Sequence, residues 1–221
     1  VIIVPAVRGF LGAAKQWGPR NSLVAKNGTG TVLFTGLTIP AGALVVLGVS
    51  DVSATSTLGT VTDSAGNAWS NTGWTDNAAG GASIFWSRLT NPLNAGTITV
   101  TSRSGAGTIA AGGMWATGPA AAPYDAAAFG TTGVTSAAPT CISGAPSAAG
   151  ELFFGMWAAG AVARTVTNDP GWTSHGVVNP TAALYGLAVA SRINTGTGAL
   201  TYAPTLNTSG LCRLNIAAFH Q

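Results

Sequence analysis

Every apolar run in this chain is cut short. Gly, Thr, Ser or Pro interrupts each one before it reaches about three helical turns, so the 3.6-residue period of an amphipathic helix is nearly absent. What remains reads as short strands rich in Val, Ile, Leu, Phe, Trp and Thr. The candidates in the first part of the chain are Thr31 to Leu37, Ala43 to Val49, Gly59 to Asp63, Ser83 to Leu89, Thr97 to Ser102 and Ile109 to Thr117. Glu151 to Ala158, Ala183 to Ile193, Ala199 to Tyr202 and Leu211 to Phe219 follow. Between them stand Pro40-Ala41-Gly42, Asp63-Ser64-Ala65-Gly66-Asn67, Asn94-Ala95-Gly96 and Asp169-Pro170-Gly171, which supply the fixed φ of Pro and the positive φ of Gly or Asn that tight turns need. A chain that reverses this often without long helices is expected to be all-β, an antiparallel β-sandwich of jelly-roll or immunoglobulin-like kind.

A faint internal repeat appears when the two halves are overlaid at an offset of about 106 residues. Ala41-Gly42-Ala43-Leu44-Val45-Val46 resembles Ala149-Gly150-Glu151-Leu152-Phe153-Phe154, Asp63 and Trp69 find an echo in Asp169 and Trp172, and Ile109-Ala110-Ala111 matches Ile216-Ala217-Ala218. Two repeats fit either two small sandwiches or one sandwich with approximate two-fold symmetry. No charged or Pro/Ser-rich linker separates the halves, so a single sandwich over residues 27–221 is expected, with residues 1–26 as an extended N-terminal arm.

With 221 residues, 47% of them hydrophobic, the chain can bury a substantial core. Charged residues are only 7%, against roughly 25% in an average globular protein. The surface is therefore expected to be small and uncharged, which costs little to desolvate and favours packing into an assembly. A genome-wide compositional bias is the other explanation. The net charge of +3 is too small for a nucleic-acid binder. Its distribution is uneven, since Arg8, Lys15, Arg20 and Lys26 all precede the first acid, Asp51. Val1 to Val4 is apolar, but Pro5 and Arg8 cut it short of a secretory core, and no stretch reaches the roughly 18 apolar residues of a membrane span. A soluble chain without an export signal or membrane partner is expected. Cys141 and Cys212 have no metal-binding spacing and read as buried small hydrophobes, with a bridge between them left open.

The inventory for catalysis is thin: two His, His175 and His220, and six acids, of which Glu151 is the one Glu. No G-x-S-x-G elbow holds a nucleophile. Glycoside hydrolysis needs two carboxyls about 5 to 9 Å apart in a cleft, and Glu151, opening a strand after Ala149-Gly150, reads instead as a solvated edge residue. His220 reads as the end of a final edge strand. Neither a cofactor nor a metal is expected, since no ligand spacing appears and an Asx-turn explains Asp63 to Asn67. The seven tryptophans offer more. Trp86, Trp115 and Trp157 lie inside apolar runs and are expected in the core, whereas Trp69, Trp74 and Trp172 flank turns and are either core or a stacking surface for sugar rings.

The order of these segments resembles that of a known group. Asp63-Ser64-Ala65-Gly66-Asn67-Ala68-Trp69 is followed by Ser83-Ile84-Phe85-Trp86-Ser87-Arg88-Leu89, Leu93-Asn94-Ala95-Gly96-Thr97-Ile98, Gly150-Glu151-Leu152, Gly171-Trp172-Thr173 and a closing Ile216-Ala217-Ala218-Phe219. This is similar to β-sandwich domains in tail and other virion surface proteins of double-stranded DNA bacteriophages, notably those infecting actinobacteria. The resemblance implies a structural or adhesive protein on a particle surface, with no catalytic residues to carry over. The basic arm departs from such domains and raises the case for capsid decoration over a minor tail role.

The expected function is a non-enzymatic virion structural protein, on the surface of a particle made in the host cytoplasm and forming a homo-oligomer. Its partners are then the major capsid or tail proteins. Arg8, Lys15, Arg20 and Lys26 would meet acidic neighbours while Phe10, Leu11 and Trp17 anchor the arm, unless that segment is an ordinary first strand packed on its own sandwich. The alternative is a carbohydrate-binding or adhesive module that recognises host wall glycan through Trp69, Trp74 or Trp172.

Overall fold

The computed structural model describes residues 16–51, 59–73, 75–77, 80–105, 107–160 and 162–221. The first half carries β1 (Asn21–Thr29), β2 (Thr31–Ile39), β3 (Leu44–Asp51), β4 (Thr60–Asp63), β5 (Ser70–Asn71), β6 (Thr75–Asn77), β7 (Gly80–Arg88), β8 (Leu93–Thr101) and β9 (Thr108–Ala116). The second carries β10 (Tyr124–Ser136), β11 (Cys141–Ile142), β12 (Leu152–Ala159), β13 (Val166–Thr167), β14 (Thr173–Val178), β15 (Gly186–Ile193), β16 (Thr201–Tyr202), β17 (Thr205–Leu206) and β18 (Gly210–Phe219). All paired strands are antiparallel. The protein is an all-β sandwich.

The internal repeat is a repeat of topology. One large sheet runs β1-β9-β3-β7-β5, with β6 also on β7, and the other runs β10-β18-β12-β15-β14, the same order one half later. Each is backed by a smaller layer. In the first half this is β2-β8-β4; in the second it is the pairs β11-β16 and β13-β17. The counterpart of β8 is there split into β16 and β17 by Ala203-Pro204, where proline has no N–H to give a ladder.

Burial shows how the layers stack. All eight residues of β3 and all eight of β12 are buried, so both strands are covered on both faces. Leu44 and Val46 share one core with Leu152, Phe154, Met156 and Val189 of the other half. Val45, Leu47 and Val49, pointing the opposite way, pack with Val32, Phe34, Ile98 and Val100 beneath the β2-β8-β4 layer. Phe153 and Trp157 likewise pack outward with Tyr202, Cys212 and Leu214. The molecule thus has four layers, two sandwiches set back to back through their large sheets. Gly48 lies at a close approach of the two large sheets, where an added Cβ would lie 2.9 Å from Val189 Cγ1 and 3.2 Å from Met156 Cβ.

Each of the ten expected strands is present, and the layers they form are arranged as follows. The chain forms two sandwiches, because the central strands are apolar on both faces and each large sheet must be covered twice. The arm is also shorter than residues 1–26, since β1 begins at Asn21 and pairs with β9 from Asn21↔Trp115 to Thr29↔Thr108. Residues 1–15 lie outside the described residues.

Candidate functional site

The described part of the N-terminal segment is built into the fold across both halves. Trp17 is buried and its indole N–H donates to Gly150 O at 3.0 Å. Arg20 Nη1 donates to Ser191 O at 3.1 Å and to Ser191 Oγ at 3.0 Å, and burial lowers its pKa from the ordinary value. Ala25 sits where Gly112 of β9 and Gly176 of β14 both come close: Cβ atoms added there would lie 2.7 Å and 3.0 Å from Ala25 Cβ. Trp17 and Arg20, which precede β1, are therefore engaged with the second half of the molecule. Lys26 differs, for it is exposed, donates to Leu33 O at 3.1 Å and lies 5.4 Å from the centre of the Phe34 ring. It borders a shallow groove of about 230 Å³ with Val24, Phe34 and Leu37. Arg8, Phe10, Leu11 and Lys15 lie outside the described residues.

Trp69 and Trp172 are divided between the two outer cores, so they form no common platform. Trp69 packs against the outer core of the first half, and its indole N–H donates to Asp63 Oδ2 at 2.9 Å. The other oxygen of Asp63 accepts from Ala65 N, Asn67 N and Asn67 Nδ2, the geometry of an Asx-turn. Trp172, only 6% exposed, belongs to the outer core of the second half, edge-on to Tyr202 at 5.2 Å, with its N–H on Thr201 O. Burial removes the free ring face that a sugar would need. Trp74 lies outside the described residues. Trp157 is fully buried as expected, whereas Trp86 and Trp115 are half-buried; Trp86 stacks on Tyr124 at 4.3 Å. Cys141 and Cys212 are free and buried, and burial pushes the Cys141 thiol up to about 11.

His175 is buried between two hydroxyls, with Nδ1 at 2.9 Å from Ser22 Oγ and Nε2 at 2.7 Å from Ser191 Oγ. Burial, with a smaller contribution from Arg20, lowers its pKa to about 4, so the ring is neutral at physiological pH. The hydrogen bonds go to serines and no carboxylate orients the ring. The group fastens one half to the other.

Among the described residues, one cluster of acids and a histidine was not legible as a motif. Asp125 near the start of β10, Glu151 just before β12 and His220 just after β18 meet at one end of the second large sheet, with one ligand atom from each within 4.8 Å of the others. Strand order brings them together, since β18 lies between β10 and β12 and Ala218 pairs with both Asp125 and Phe153. His220 thus follows a central strand, not an edge. Glu151 is 1% exposed and not solvated.

Geometry is well fixed here. His220 Nδ1 is 2.9 Å from Glu151 Oε1, which also accepts from Ala148 N at 3.0 Å and Ser147 Oγ at 3.3 Å. Asp125 accepts from Ala127 N at 2.9 Å and Ser147 N at 2.8 Å. Burial raises the pKa of Asp125, but those N–H donors, the Ser147 hydroxyl and the charge of His220 outweigh it and leave it below the usual range. Burial raises Glu151 as well, and with Asp125 adding to it the net direction is upward despite Ala148 and His220. A pair of carboxyls this deeply buried gives a glycosidic oxygen no access. What the cluster can do is hold protons or a cation.

Scans of protein-family models, of curated proteins and of solved structures returned no match for this chain.

Proposed function

We propose that this protein is a non-catalytic structural subunit on the surface of a bacteriophage virion, binding neighbouring virion subunits and other copies of itself through its sheet edges. The observation that supports the reading is strand β10, which borders its sheet and, among the described residues, pairs there with β18 alone. Over its last seven residues it reads Gly-Thr-Thr-Gly-Val-Thr-Ser, with neither charge nor proline. Edges of proteins that stay apart are usually blunted by Lys, Pro or a covering segment. An unblunted edge accepts a strand from a neighbour, with main-chain hydrogen bonds giving the affinity. The low charge of the chain points the same way, because small uncharged side chains are cheap to desolvate.

Thr135 is exposed on this strand, and Thr135→Lys places a charge on the edge without touching a core. Sedimentation of the purified chain over a range of concentrations is expected to show association by the native protein and its loss in the variant. A native chain that stays monomeric and fails to bind particles contradicts the reading.

A further inference from the structure

We propose that Asp125, Glu151 and His220 form a binding site for one divalent transition-metal ion of the Zn²⁺ or Mn²⁺ class. Asp125 lies in β10, and Glu151 and His220 directly flank the ends of β12 and β18, so three neighbouring strands of one sheet bring the donors together. One ligand atom from each falls within 4.8 Å of the others. An ion about 2.0–2.2 Å from each donor separates its ligands by distances of this order. Two carboxylates with one imidazole suit Zn²⁺ or Mn²⁺, whereas Ca²⁺ and Mg²⁺ prefer oxygen throughout.

A second observation points into the same space. Glu151 Oε2 is buried and has no hydrogen-bond partner, while Oε1 is occupied by Ala148 N, Ser147 Oγ and the His220 ring. Its neighbour Asp125 brings like charge and can bond to the Glu151 carboxyl only through a shared proton. A buried carboxylate oxygen in that position needs a positive partner. Around it the supporting shell is complete, since Ala127 N and Ser147 N hold Asp125 in place as outer partners hold metal ligands. His220, 29% exposed, leaves a way in from solvent.

Charge balance defines the chemistry. Asp125 and Glu151 carry two negative charges when ionised, and a neutral His220 carries none. A single divalent ion neutralises that charge, and any proton the ligands hold leaves as it binds. Bound there, the ion ties the final strand to β10 and β12 beside Gly150, the carbonyl on which Trp17 docks.

The test is calorimetric titration of the chelator-stripped full chain with Zn²⁺, with Mn²⁺ and Ca²⁺ in parallel. One Zn²⁺ per chain is expected, with affinity that falls as the pH is lowered from neutral and a melting temperature that rises with the metal. His220→Ala and Glu151→Gln should each weaken binding by more than about tenfold, while His175→Gln, outside the cluster, should bind as the native chain does. If Glu151→Gln does not fold, His220→Ala decides, because its partly exposed ring follows the last strand. Absence of saturable Zn²⁺ and Mn²⁺ binding, or equal binding by the native chain and His220→Ala, overturns the proposal. So does a Glu151→Gln protein that melts higher than a native chain unresponsive to metal, which assigns the site to a shared proton.

Discussion

Ser22 Oγ and His175 Nδ1 lie 2.9 Å apart, and this hydrogen bond joins the first strand of one half to the edge strand β14 of the other. Nε2 of the same ring meets Ser191 Oγ, which Arg20 also contacts. The interface between the sandwiches therefore contains a histidine that must stay neutral to be accommodated.

Acid should loosen that interface. The folded-state pKa of His175 is about 4, below its value of 6.5 in a model peptide, so the unfolded chain takes up its proton first as the pH falls. The stability this residue contributes is present above pH 6.5 and is lost between about 6.5 and 4. Glu151 acts in the opposite sense, since its raised pKa favours the folded state while it holds its proton. Urea unfolding of the native chain and of His175→Gln at several pH values separates the two. The native advantage over His175→Gln should shrink toward pH 4, and a constant difference would count against the neutral-histidine account.

Gly48→Ala should destabilise the protein. In a strand, alanine is ordinarily better than glycine by roughly 0.5–1 kcal/mol. Here the added methyl meets Val189 and Met156 of the opposite sheet at 2.9 and 3.2 Å, and overpacking of this kind costs about 1–3 kcal/mol. The sign of the change in denaturation midpoint is the readout. A stabilised variant would mean that the two large sheets are not packed as described.

Trp172→Ala should lower stability by about 3–5 kcal/mol, the range for truncating a buried aromatic, because the ring contacts Tyr202 and its N–H satisfies Thr201 O. Thermal melting of the variant checks this. A normally folded variant that has lost affinity for cell-wall glycan would instead restore the ring to a binding surface.

Much of the fold was legible because its strands are apolar and its turns chemically marked. The run Leu44-Val45-Val46-Leu47 and its counterpart Leu152-Phe153-Phe154 are continuously apolar, which is the signature of strands covered on both faces. No charged or Pro/Ser-rich linker marks the boundary between the halves. Strand β1 was hidden because a register shift between Leu23 and Lys26 breaks the period of two and Asn27-Gly28 reads as a turn. Strand β10 was hidden by its Ala, Gly and Thr content and by the irregularity between Asp125 and Gly130. Asp125, Glu151 and His220 share no spacing motif at all. Only the pairing order of three strands places them together, and that order is a property of the tertiary fold.

A virion structural subunit is present in the particle in countable copies. Quantitative mass spectrometry of purified virions, from a phage whose genome encodes the chain, gives its copies relative to the major capsid and tail subunits. The account predicts a fixed stoichiometry, from a few copies at a tail tip to hundreds on a head, retained through purification. Complete absence from the particle would contradict it.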